Sequence, residues 1–103
     1  MPCDTVQTNT VSVPHMIAPL RARGLKALGI HVQNPQQTWF SYDGDNYRFA
    51  NGNLVSNTAD ADTLARVAAL VKRAYSAEVV QYTAQRNGWT VRKTAAFEYE
   101  VIK

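Results

Sequence analysis

The stretch that most constrains this chain runs from Asp60 to Trp89, DADTLARVAALVKRAYSAEVVQYTAQRNGW. Leu64, Val67, Ala68, Val71, Ala74, Tyr75, Val79 and Tyr82 recur at intervals of three and four, the spacing that lines up one face of an α-helix. Asp60 is placed to cap the first turn and Asp62 adds negative charge there, where the helix dipole favours it. Gly88 supplies the stop and Trp89 the re-entry. A second set, Ala69, Ala77, Val80 and Ala84, widens the apolar arc and predicts burial on two sides. The cover comes either from the rest of the chain or from another subunit. A straight helix over residues 62–87 measures about 39 Å at 1.5 Å per residue, whereas a domain of this length has a radius of gyration of about 13 Å. The helix must therefore bend or break near Ser76, or send one end out toward a partner.

The remaining segments are short. Residues 5–12 (TVQTNTVS) set Val6, Thr8 and Thr10 on one face and Gln7, Asn9 and Val11 on the other, a half-exposed or edge strand. Pro14 ends it. A shorter helix follows, with Met16, Ile17, Leu20, Gly24, Ala27 and Leu28 near one face, Pro19 in its first turn and Gly29 past its end. Ile30 to Gln33 alternates like a short strand, closed by Asn34-Pro35. Residues 38–42 (TWFSY), 47–50 and 53–56 read as a three-strand meander. Asp43-Gly44-Asp45-Asn46 is a loop by composition, and Asn51-Gly52 is the strongest hairpin signal in the chain. Residues 89–93 and 97–103 alternate apolar and polar and close the chain with a hairpin. The strands are grouped, in the order β-α-β-β-β-α-β-β. That predicts a single α+β domain over residues 1–103, a mostly antiparallel sheet carrying two helices.

Composition narrows the functional classes. At 103 residues the chain can bury a core, and 46% apolar with 18% charged content is globular. The net charge of +3 permits an anionic partner without requiring one. Cys3 is the only cysteine, so no intrachain disulfide forms and the expected setting is cytoplasmic, in a bacterium or a bacterial host. No run of about 18 apolar residues and no basic-then-apolar leader is present, so neither a membrane span nor a signal peptide is expected.

Tyr75, Val79, Gly88-Trp89 and Val91, followed by an alternating terminal strand, resemble the C-terminal pattern of a family called domain of unknown function 1257. Its members include a hypothetical chloroplast protein, cyanobacterial homologues and short phage-encoded versions. The Thr-rich opening strand and the helix ending in Leu28-Gly29 fit as well. The resemblance covers about half the chain, and the middle, residues 36–58, matches the compact phage-like form better. It implies no activity. Tyr75, Gly88 and Trp89 carry over as structural positions only.

Chemistry is sparse. His15 and His31 lie in different segments, and neither has a second ligand at metal spacing. The Asp43-Gly44-Asp45-Asn46 loop lacks the third acid, the placed glycine and the terminal glutamate of a calcium loop. There is no nucleophile elbow, and Cys3 precedes any element that could hold it beside a histidine. Pro2 would be a terminal amine base if Met1 were removed, but no arginine clamp follows it. The five glycines are isolated, so no phosphate loop is formed. No catalytic residue, metal ligand or cofactor is therefore expected. The first expectation is a non-enzymatic accessory module, phage- or bacterial-type, that docks through its long helix to a protein partner or as a homodimer. Val67, Leu70, Val71, Tyr75, Val79, Val80 and Tyr82 are the candidate interface, and Gly29, Gly52, Gly88 and Trp89 are structural positions. A second reading is nucleic-acid binding by Arg66, Lys72, Arg73, Arg86, Arg92 and Lys93 with Trp39, Phe40, Tyr42 and Tyr47 as stacking platforms. A third is a small-ligand or nucleotide site between helix and meander.

Overall fold

The computed structural model describes residues 8–95 and 98–102. Expectations placed on Pro2, Cys3, Val6 and Phe97 lie outside the described residues. The elements are β1 (Asn9–Ser12), α1 (Ala18–Ala27), β2 (Trp39–Tyr42), β3 (Asp45–Ala50), β4 (Asn53–Ser56), α2 (Ala61–Arg86), β5 (Thr90–Ala95) and β6 (Glu98–Ile102). The fold is α+β, in the expected order β-α-β-β-β-α-β-β. All strand pairs are antiparallel, in a four-stranded sheet of order β1-β4-β3-β2 and a separate β5-β6 hairpin.

Two tight turns set the meander. Asn51 and Gly52 adopt φ of 52° and 77°, and Asp43 and Gly44 adopt 51° and 86°. Both are two-residue turns with positive φ at each position, whose twist matches the flanking strands. The polar tetrapeptide 43–46 is thus not a loop: Asp45 and Asn46 already pair with Tyr42 and Ser41. Composition misleads here because Asn46 faces solvent, where a strand tolerates polarity. Residues 30–33 keep the expected alternation, with Ile30 and Val32 buried and His31 and Gln33 exposed, but they form no strand. The two apolar side chains join the core, while the Gln33 amide bonds to Gln37 Oε1 at 3.3 Å rather than to a ladder.

Both helices end alike. Beyond α1, Gly29 (φ 83°) lets its amide reach Lys26 O at 3.0 Å and the Ile30 amide reach Leu25 O at 3.1 Å. Beyond α2, Gly88 (φ 69°) and the Trp89 amide close on Gln85 O and Ala84 O at 3.3 and 2.8 Å. This paired closure satisfies carbonyls that the last turn leaves open.

The core lies between the inner face of the four-stranded sheet, α1 and the first half of α2. Phe40, Tyr47 and Leu54 from the sheet meet Leu25 from α1 and Leu64, Val67 and Val71 from α2. Within α1 the buried positions are Leu20, Ala22, Gly24 and Leu25, whereas Ile17 and Ala27 stay exposed. At the helix crossing a Cβ on Gly24 would stand 3.2 Å from the Tyr75 amide nitrogen, so only glycine lets the backbones approach this closely. Ser56 is the buried polar anchor of the meander. Its hydroxyl donates to Asn46 O (2.7 Å) and accepts from the amides of Ala59 (3.0 Å) and Thr58 (3.2 Å).

One helix spans residues 61–86 without interruption. The alternative of projection is the one realised. The chain is elongated, 62 × 25 × 21 Å, with a radius of gyration of 15.6 Å. No helix among the described residues is long and apolar enough to cross a membrane.

Candidate functional site

The far end of α2 and the β5-β6 hairpin form an arm beyond the core. The hairpin lies along one side of the helix, with Arg73 and Glu98 4.0 Å apart at the surface. Ala77 and Ala84 are buried. On the strands Val91, Tyr99 and Val101 reach only half-burial. The core-facing stripe of α2 continues past the sheet and α1 on a different side of the helix. At 100° per residue, Val79 and Tyr82 follow directly from Ala68, Val71 and Tyr75. The globule holds Tyr75 through its hydroxyl, which accepts the Ile17 amide at 3.0 Å, and Arg23 of α1 reaches Glu78 at 3.5 Å. Beyond it Val79 is half-buried and Tyr82 is 41% exposed, with the Arg86 guanidinium 5.7 Å over its ring. Ile102, at the end of β6, is 47% exposed.

These positions divide the expected interface in two. Val67 and Val71 are 5% and 2% exposed and belong to the core cluster, with Tyr75 packed against it. They are covered within the chain and offer no surface, because the sheet and α1 need this half of the stripe. Leu70, Val79 and Val80 are half-buried and Tyr82 is exposed. Sequence periodicity could not locate the division, since the stripe is continuous while the globule beneath it stops.

The basic residues do not converge. Arg73 approaches Glu98, Arg92 pairs with Glu100, and Arg86 lies over Tyr82. Arg66, Lys72 and Lys93 are exposed. Trp39, 56% exposed, stands on the outer face of the sheet, in a row with Arg48, Val55 and Thr10. The helix packs on the opposite, inner face, so Trp39 shares no surface with the helix bases. Tyr42 faces inward and lies in the same cavity wall as Arg66.

That cavity, of about 230 Å³, opens between the β2-β3 turn and the first half of α2. Tyr42, Asp43 and Tyr47 line it from the meander, and Thr63, Arg66 and Leu70 from the helix. Tyr47 is 2% exposed and its ring stacks on Phe40 at 5.1 Å. Its buried hydroxyl has no hydrogen-bond partner among the described residues. Burial pushes the Tyr47 phenol up, and the neighbouring Asp45, Asp43 and Asp60 add to the shift. The nearby Asp60 carboxylate is already committed. It accepts the Thr63 amide at 2.7 Å, and hydrogen bonding from the Thr63 backbone and side chain holds its pKa below the usual carboxylate range. Phe40 and Tyr47, expected as stacking platforms, instead belong to the core cluster, because the inner face of the sheet packs against the helices.

His15 and His31 are both exposed. Among the described residues no group of three His, Cys, Asp or Glu side chains is placed to hold a metal ion. Gly29, Gly52 and Gly88 all take positive φ, as their cap and turn positions require. Tyr75 and the Gly88-Trp89 pair, the positions of the family resemblance, are respectively the clasp on α1 and the closure of α2. No family model, curated protein or solved structure matches the chain.

Proposed function

We propose that this chain is a non-enzymatic binding module that associates with a second copy of itself through the arm. The observation that carries the reading is the continuation of the core stripe of α2, at Val79 and Tyr82, past the layer that covers it. Large aromatic side chains left in solvent beside half-buried aliphatics are typical anchors of protein interfaces.

Charge favours a second copy as the occupant. Residues 76–102 carry three acids (Glu78, Glu98, Glu100) and three bases (Arg86, Arg92, Lys93), so two arms meet without net repulsion. Glu78 is already held by Arg23 of α1 at 3.5 Å, so antiparallel pairing of two α2 helices about Tyr82 rests on Val79, Tyr82 and Arg86. All three share one side of the helix. The contact is then self-complementary, as a two-fold interface must be. A two-stranded hairpin is marginal by itself, and burial of the arm against another copy would add the missing layer.

Sedimentation equilibrium tests the reading. The unmodified chain is expected near twice the 11.5 kDa chain mass, and Tyr82→Asp near one chain mass with its helix content kept. Val79→Asp, on the same stripe, is expected to weaken the dimer as well. A monomer at millimolar concentration, or a dimer indifferent to Tyr82→Asp, overturns the proposal.

A further inference from the structure

We infer that the cavity between the β2-β3 turn and α2 is a binding site for a nucleobase, presented by a mononucleotide or by a single strand. This inference is independent of the arm, since none of the cavity residues lies beyond Leu70.

Three observations carry it. The first is the Tyr47 hydroxyl, buried and without a partner among the described residues. Buried polar groups are almost always hydrogen-bonded, and an exception marks an absent partner. With its phenol pushed up by burial, the group stays protonated at neutral pH and serves as a donor. The second is the pairing of opposite polar roles around it. Asp43 offers a carboxylate acceptor and Arg66 a guanidinium donor, the Thr63 side chain being already bonded to Asp60. A nucleobase edge presents a carbonyl or ring-nitrogen acceptor beside an amino or imino donor, which such a mixed wall matches and a simple anion or cation does not. The third is shape. The Tyr42 ring and Leu70 provide apolar surface, against which a flat heterocycle gains stacking and burial. About 230 Å³ corresponds to roughly eight liquid-water volumes, the space of one planar ring system with its substituents. Arg66 is exposed at the rim, where a 5′-phosphate would extend.

The test is a melting-temperature screen with the four nucleoside 5′-monophosphates and a mixed-sequence hexanucleotide, since a ligand of the folded state raises the melting temperature. At least one monophosphate is expected to raise it. A response to the hexanucleotide alone assigns the base to a strand instead. Tyr47→Phe removes the unpartnered hydroxyl, so it should melt no lower than the unmodified chain and lose at least tenfold in affinity. Should Tyr47→Phe fail to fold, amide shifts of Thr63, Arg66 and Leu70 in the unmodified protein report the same contact. No response to any probe overturns the inference, as do unchanged affinity in Tyr47→Phe and shifts confined to other residues.

Discussion

Replacing Gly24 by alanine separates two opposed effects of known size. Inside a helix alanine is favoured over glycine by about 1 kcal/mol, so propensity alone makes Gly24→Ala a stabilising change. The crossing with α2 opposes it. The new Cβ would stand 3.2 Å from Tyr75 N, 3.3 Å from Ala74 C and 3.4 Å from Ala74 O, inside the ordinary contact range of about 3.5–4.0 Å. All three atoms are backbone of a continuous helix, so the strain is relieved only by moving α1 away from α2. Forcing a methyl group into such a contact costs about 1–3 kcal/mol. The balance is a loss of about 0–2 kcal/mol. For a domain of this size each kcal/mol moves the melting temperature by about 4–8 °C. Urea unfolding, with the midpoint multiplied by a common slope, measures it. Gly24→Leu, with three further carbons, should fall well below Gly24→Ala in the same assay. A gain near 1 kcal/mol for Gly24→Ala, about the full propensity difference, would show that the helices do not approach this closely and that the clasp at Tyr75 is misplaced.

Two further perturbations probe the frame of the cavity. Ser56→Ala strips partners from Asn46 O and from the amides of Thr58 and Ala59; because Ala59 is buried, the expected loss is about 2–3 kcal/mol by denaturant unfolding, and a loss under about 0.5 kcal/mol would contradict these bonds. Asp60 titrates below its usual range in the folded chain because it caps Thr63, so its contribution is complete above the unfolded value of about 3.9 and is lost as pH falls through the lowered folded value. The amide side chain introduced by Asp60→Asn still caps but does not titrate. Stability of that variant should therefore fall less steeply with acid, and parallel acid limbs in the two proteins would contradict the cap.

Much of the fold was legible because local signals agreed with one another. The Asp60 cap, the three-four stripe and the Gly88 stop bounded α2, and Asn51-Gly52 fixed one hairpin. Asp43-Gly44 is an equally good turn, but the polar Asp45 and Asn46 after it read as loop until the register showed Asn46 on the open face. Residues 30–33 failed in the opposite sense. Their alternation is real and buries Ile30 and Val32, yet a strand also needs a neighbour to bond, which periodicity does not report. The site was legible only in outline. The surplus apolar surface on α2 pointed to an interface, but which half is surplus depends on where the sheet ends. The Tyr47 cavity depends on residues sixteen or more apart in sequence, Tyr47 against Thr63 and Arg66, and no local pattern contains it.

Arm-to-arm association is tested most directly by one distance between copies. A spin label on Ser76→Cys in a Cys3→Ser background sits on the exposed side of α2, away from the Val79-Tyr82 stripe. With two α2 helices antiparallel about Tyr82, the 1.5 Å rise and an interaxial spacing of about 8–10 Å put the labels roughly 20–30 Å apart. A pulsed dipolar measurement is expected to return a distribution centred in that range and to lose it in Tyr82→Asp. No dipolar coupling, or a distance approaching the 62 Å long axis of the chain, would show that the copies stay apart or meet elsewhere.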